Sequence, residues 1–196
     1  MSLYSGMSKD FIGESQRNQI AERLKGAFFS YYRYHPSPAE VNSWRNSLRA
    51  MADVLQIGGL QEQGVLLEYQ LPLSSKRLDC MLCGTDDRNA QRAVIVELKQ
   101  WDKCEPADPE NVVRSWVGGR NRTLLHPSVQ VGHDRQYLED THTAFHEGPN
   151  PIVLSACSYL HNYKIEACDP IVAPKFEEAL KTDPLFDLDD AEHLAQ

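Results

Sequence analysis

The chain has 196 residues, of which 41% are hydrophobic and 24% charged, and 28 acidic side chains against 20 basic ones give a formal net charge of −8. This composition excludes a disordered or collagen-like chain, and the length suits one domain able to bury its own core. No run of 18 apolar residues is present, and Met1-Ser-Leu-Tyr-Ser-Gly6 lacks the basic start and apolar stretch of a secretory leader, so a soluble, cytoplasmic protein with no membrane partner is expected.

In chain order, Phe11, Ile12, Ile20, Leu24, Ala27, Phe28 and Tyr31 carry a helical spacing that predicts helix over 11–33, broken by Tyr32-Arg-Tyr-His-Pro-Ser-Pro38. A second helix is predicted from Ser37–Glu40 to Gly58-Gly59. Its stripe is Val41, Trp44, Leu48, Met51 and Leu55, and Ser37 with Glu40 fits a capping box around Pro38. The period then changes. Strands are predicted at 65–71, stopped by Pro72, at 77–83, ended by Gly84, and at 93–99, whose apolar start suits a central strand covered on both faces. A short helix is predicted near 112–117 before a loop at Gly118-Gly119, a longer helix over 127–145, a strand over 151–159 and a short helix at 176–180. The order α-α-β-β-β-α-β indicates an α/β domain with a central mixed sheet flanked by helices.

Charge is unevenly spread. Residues 1–60 carry a slight basic excess, whereas residues 164–196 carry nine acidic and three basic side chains. The acidity argues against a protein that merely coats nucleic acid. It leaves room for an acidic active site, where cations bridge carboxylates and phosphates. The five cysteines are expected to be reduced. Cys80-Met-Leu-Cys83 has half the spacing of a zinc site, but with no second pair both are better read as small apolar strand residues.

The chemistry concentrates at Asp79, Glu97 and Lys99. Glu97 and Lys99 are two apart on one strand and leave the same face, while Asp79 stands on the preceding strand, on the face of Arg77 and Met81. Two nearby carboxylates repel, and a hard divalent cation, Mg2+ or Mn2+, relieves that repulsion through oxygen ligation. Such an ion polarises a phosphoryl oxygen and lowers the pKa of a water, with Lys99 positioned to stabilise the developing charge. A lone Glu-x-Lys recurs by chance roughly once in a chain this long. Here it ends an apolar strand, where a charged pair is costly unless it is partnered.

A strand bearing Asp and a strand bearing Glu-x-Lys after a leading helix resemble the PD-(D/E)XK nuclease superfamily. More of the chain carries a further likeness. Leu3-Tyr-Ser-Gly6, Glu40-Val-Asn-Ser-Trp-Arg-Asn-Ser-Leu48, Leu67-Glu-Tyr-Gln-Leu-Pro72, Arg77-Leu-Asp79, Val96-Glu-Leu-Lys-Gln-Trp101, His126-Pro-Ser-Val-Gln130 and Tyr159-Leu-His-Asn162 occur in one order. Together they resemble the N-terminal nuclease-like domain of the bacterial predicted DNA/RNA helicase family related to Schlafen ATPases, long listed as a domain of unknown function.

The resemblance implies a restriction-endonuclease-like fold over 1–196, with leading helices (1–60), a catalytic core (61–163) and an acidic C-terminal segment (164–196). It implies metal-dependent cleavage of DNA or RNA, coupled to a helicase or ATPase in cis or trans. No Gly-x-x-x-x-Gly-Lys-Ser/Thr is present, so the chain is expected to be an excised domain or a stand-alone relative. Carried over by residue, Asp79 and Glu97 are metal ligands, Lys99 is the catalytic lysine and Glu40 is a supporting acid that reaches the metal through water. Glu68 competes for that supporting role. Gln130 matches the helix after the catalytic strand. The RecB-type Gln-x-x-x-Tyr pattern is broken there, since position 134 is Asp and the nearest tyrosine is Tyr137.

Arg114, Arg120 and Arg122 flank Gly118-Gly119 and are candidate phosphate contacts, although solvated loop arginines are the blander reading. Trp101 and Trp116 are candidate stacking platforms, with core packing favoured. His126 either touches phosphate or ties down its loop, and His161-Asn162 most simply supports the site. Two alternatives to an enzyme stand: a non-cleaving nucleic-acid-binding module of nuclease-like fold that serves a partner ATPase, and a structural domain.

Overall fold

The structure is a computed structural model that describes residues 1–196. Its centre is a six-stranded sheet of β1 (Tyr4–Met7), β2 (Gly64–Gln70), β3 (Arg77–Thr85), β4 (Gln91–Lys99), β7 (Val153–Leu160) and β8 (Leu185–Phe186), hydrogen-bonded in that spatial order. The pairings from β1 through β4 are antiparallel, while β4–β7 and β7–β8 are parallel. A separate antiparallel hairpin is formed by β5 (Val112–Val117) and β6 (Arg120–Leu125).

Helices cover both faces, as a sheet with apolar residues on both sides requires. On one side lie α1 (Ser8–Gln16), α2 (Ile20–Tyr32) and α3 (Pro38–Ile57). Their Phe11, Leu24, Phe28, Leu48, Met51 and Leu55 pack with Val65, Leu67, Cys80, Val96 and Leu98 of the sheet. On the other side, Val131 and Leu138 of α4 (Pro127–Thr141) pack against Met81, Ala93, Ile95, Leu154 and Ala156. The hairpin, Trp101 and Phe176 form a third, smaller core with Leu160, Tyr163 and Ile171. The chain ends in α5 (Glu177–Thr182) and α6 (Ala191–Leu194). No helix is long and apolar enough to cross a membrane.

Several elements depart from the sequence expectation. The helix predicted over 11–33 is two helices. Arg17-Asn-Gln19 separates them, and Asn18 takes a left-handed φ of 56°, a conformation that asparagine tolerates at helix ends. The helix predicted at 112–117 is strand β5. Its β-branched Val112, Val113 and Val117 favour extension, and Gly118 and Gly119, both at positive φ, form the two-residue turn that a tight hairpin needs. The helix predicted to 145 stops at Thr141 and continues as one 3-10 turn, Thr143–Phe145. The short strands β1, β6 and β8 were not anticipated. Ser37 caps α3 by accepting from the Glu40 N–H at 3.1 Å, but the Glu40 carboxylate leaves the capping box to pair with Arg77.

Candidate active site

The site is built where two ladders open. β3 and β4 pair regularly from Thr85–Gln91 to Cys80–Val96. Beyond that point the Asp79 carboxylate, not a backbone carbonyl, accepts the Leu98 N–H, at 2.8 Å. On the other side of β3, Leu67 pairs with Cys80 and Tyr69 with Leu78, so Glu68 and Asp79 face each other outside the regular ladder. Glu68 has a left-handed φ of 51°, which is costly for a residue with a side chain and marks a local break in the pleat.

The break redirects side chains. Leu78 and Met81 pack toward α4, whereas Arg77 lies against Phe28 and Tyr32 of α2 and Cys80 packs into the α1–α3 core. Asp79 lines a pocket of about 550 Å³ on the helical side with Glu40, Trp44, Glu68 and Arg77. The expectation that Asp79 shares a face with both Arg77 and Met81 is therefore corrected. Strict alternation fails because the bulge puts residues 79 and 80 on one side.

Glu97 and Lys99 follow regular alternation and leave β4 on the α4 side, opposite the pocket that Asp79 lines. Neither lines that pocket, and Asp79 meets their strand only at the opening, through its bond to the Leu98 N–H. The Lys99 Nζ donates to Glu97 Oε1 at 2.6 Å and to Gln130 Oε1 at 2.9 Å, and Gln130 Nε2 donates to the same Glu97 oxygen at 2.7 Å. Gln130 sits in the first turn of α4, so the helix start fixes the β4 pair. Asp134, one turn further on, is buried and lies 3.4 Å from Lys76. Tyr137 does not replace the missing tyrosine. Its hydroxyl donates to the Pro72 carbonyl, away from Lys99.

Charge links these groups. Burial, then the negative charges of Glu97 and Glu68, push the Asp79 carboxyl well above its ordinary range. Burial also raises Glu68, to about 7, against the lowering pull of Arg77 and the Trp44 indole hydrogen bond. For Lys99, burial disfavours the ammonium, but Glu97 and Asp79 outweigh it and hold the pKa above the usual lysine value. Lys99 is therefore a cation at neutral pH.

Of the two candidate supporting acids, Glu68 faces Asp79 directly and contributes to its shift. Glu68 also pairs with Arg77 at 2.8 Å and accepts from Trp44 Nε1 at 2.7 Å. Glu40 reaches the same pocket through its own pair with Arg77. Arg77 thus bridges two acids beside Asp79, a role that the residue order gives no sign of.

The remaining candidates fall elsewhere. Arg114, Arg120 and Arg122 are exposed on the β5–β6 hairpin, and none lines the Asp79 pocket. Trp101 is 5% exposed and belongs to the third core, so it offers no free face for stacking, whereas Trp116 is exposed beside Lys103. His126 is fully buried, which corrects any phosphate role. Its Nδ1 accepts from Ser128 N–H, its Nε2 lies 2.8 Å from the Ile171 carbonyl and its ring stacks on Phe176. His161 is 2.9 Å from Ser47 of α3 and ties β7 to that helix. Cys80 and Cys83 are free, three apart on one strand, and pack into opposite cores.

Burial lowers His126 to about 4, so its folded pKa lies below that of an exposed histidine. Between about pH 6.5 and 4 the unfolded chain takes up the proton while the folded chain does not, so folding stability falls as pH falls through that window. Denaturation midpoints measured from pH 7 to 4 are expected to show a loss of roughly 3 kcal/mol at most from this group. His126→Asn, which can still cap α4, is expected to flatten that part of the profile, and an unaltered profile would assign the pH dependence elsewhere.

No group of three or more His, Cys, Asp or Glu side chains is arranged to hold a metal ion. A magnesium-type site does not require one. Such an ion is commonly held by one or two carboxylates and completes its shell with water and substrate phosphate oxygens. The all-oxygen donors of Asp79 and Glu97 suit that chemistry, and the repulsion of Glu97 adds to burial in raising the Asp79 pKa.

Comparisons with known proteins add no relative. No protein-family model matches the chain, and no curated protein or solved structure matches it either.

Proposed function

We propose that the chain is a metal-dependent phosphodiesterase of restriction-endonuclease-like fold that cuts DNA or RNA. One observation carries the reading: the Asp79 carboxylate accepts the N–H of Leu98, the residue between Glu97 and Lys99, at 2.8 Å, and Lys99 is held by Glu97 and Gln130. The order of helix α3, strand β3 with Asp79, strand β4 with Glu97 and Lys99, and later helix α4 with Gln130 supports it, since the superfamily resemblance implies those elements in that order.

Asp79 and Glu97 would hold Mg2+ or Mn2+, which supplies Lewis-acid polarisation of a phosphoryl oxygen and a more acidic bound water. The chain's own groups do the rest. Lys99, kept as an ammonium, stabilises negative charge that accumulates on the phosphorus oxygens. Gln130 fixes the Lys99 amine while donating to Glu97, so both groups are set before substrate arrives. Glu68 and Arg77 hold Asp79's surroundings. Coupling to an ATPase, in cis or in trans, belongs to the same reading.

A non-cleaving nucleic-acid-binding module is the second reading. The observation that favours it is the engagement of Glu97 Oε1 by both Lys99 and Gln130, which leaves one oxygen of that carboxylate for a cation.

Two measurements separate them. Mg2+ or Mn2+ at ten times its Kd is expected to raise the melting temperature by about 3–6 °C. Asp79→Asn is expected to abolish both that shift and cleavage of labelled single- and double-stranded substrates. Binding without cleavage in either cation would establish the second reading. Gln130→Ala is expected to slow cleavage about 10–100-fold at unchanged substrate affinity, the usual cost of losing a group that orients a site. A loss confined to affinity would make Gln130 a substrate contact.

A further inference from the structure

The Asp79 pocket has a wall that the chemistry above does not use. Tyr32 and Tyr34, at the end of α2 and in the turn after it, line the pocket together with Glu68 and Asp79. The rings continue onto the surface. Tyr34 is 60% exposed, Tyr31 48% and Phe29 42%, and Phe29 stacks on His35 at 4.4 Å between centroids. Tyr34 packs edge-on against buried Phe28, with centroids 5.1 Å apart, and still leaves much of its ring in water next to carboxylates.

The pocket is poor in free cations. Arg77 is its one basic lining residue, and it is committed to Glu40 and Glu68. A polyanion entering here gains little from phosphate neutralisation and must be held by something other than charge. Base faces on aromatic rings supply about 1–3 kcal/mol per base by alanine substitution. In a duplex those faces are covered by neighbouring bases, whereas a single strand presents them.

We propose that Tyr34, exposed at the wall of the pocket, is a base-stacking platform that makes single-stranded nucleic acid, or an unpaired end or flap, the substrate class of this site. The inference rests on the nuclease reading and narrows it. Tyr34 guides the strand into the pocket, and the scissile phosphate then reaches Asp79 at the strand opening, next to the segment of β4 that carries Glu97 and Lys99.

The test is equilibrium binding with Ca2+ in place of Mg2+, using a single-stranded oligonucleotide carrying 2-aminopurine and the matching blunt duplex. Wild-type protein is expected to bind the single strand more tightly and to quench the probe. Tyr34→Ala and Tyr34→Leu are expected to weaken single-strand binding about 5- to 100-fold, reduce the quenching and leave duplex binding and the salt slope unchanged. Tyr34→Phe is expected to stay within about twofold of wild type. The exposure of Tyr34 makes misfolding a minor concern, and melting curves of all three variants check it. Equal affinity for duplex and single strand, or wild-type binding by both Tyr34→Ala and Tyr34→Leu, overturns the proposal. If Asp79-dependent cleavage persists in that case, only the stacking platform is lost. If the wild-type protein neither binds nor cuts either substrate, the nuclease reading falls with it.

Discussion

Lys99→Ala is expected to reduce metal-dependent cleavage by about 10³-fold per folded molecule, and to cost stability as well because it strips buried Glu97 of its partner. The size follows from the role. A fixed donor aimed at developing charge in a site shielded from water contributes about 10²–10³ in rate, and Lys99 adds a full positive charge. The side chain is poised for this, since Glu97 and Gln130 hold its Nζ at 2.6 and 2.9 Å. Lys99→Met, which keeps the stem, separates the charge from the packing and is expected to be as slow as the alanine variant. Cleavage at the wild-type rate in both would place the chemistry at another site. Glu97 and Asp79 also favour the ammonium of Lys99 over its neutral form, so stabilisation of charge is the role expected of it. Lys99→Arg is therefore expected to keep the ascending limb of the pH–rate profile. Loss of that limb in Lys99→Arg would assign the proton to Lys99.

Arg77→Ala is expected to cost about 3–5 kcal/mol of folding stability, the range for removing one partner of a buried ion pair. Glu68 is buried and Glu40 half-buried, and Arg77 pairs with both while covering the rings of Phe28 and Tyr32. Without the guanidinium, Glu68 loses the charge that now holds its pKa down to about 7. Its carboxyl then rises further above its unfolded value. A raised folded pKa gives stability that is present at low pH and lost as pH rises, so the deficit is expected to be greatest near pH 8 and smaller near pH 5. Urea denaturation at the two pH values measures this. Arg77→Ala combined with Glu68→Gln is expected to recover much of the loss, because the amide keeps a partner for Trp44 without a buried charge. A deficit independent of pH, and unrelieved in the double variant, would attribute the effect to lost contact with the aromatic rings alone.

What a sequence can announce is set by periodicity, and here that was enough for the long elements. The stripe on α3, the apolar run of β4 and the Pro127 start of α4 each carry a local physical signal, so their positions followed from order alone. The chemical types were legible as well: Glu97 and Lys99 stand out because a charged pair that ends an apolar strand needs partners, whereas Gln130 was marked only by the family resemblance. The hairpin was missed although Val112, Val113 and Gly118-Gly119 carry its signal, because its second strand opens with Arg120-Asn-Arg-Thr123, which lacks apolar alternation. Only the tertiary structure decided how the groups meet. The break at Glu68 and Asp79 depends on two strands failing to pair over one step, a property of the sheet and of neither strand by itself. Arg77 gains its two acids from α3 and β2, and the tyrosines reach the pocket only because α2 ends above it. Arg77 meets Glu40 from 37 positions away and Glu68 from 9, and nothing in local spacing records either contact. Residue order fixed which groups would seek partners; packing chose the partners, because burial makes each uncompensated charge expensive and leaves few arrangements that satisfy all of them at once.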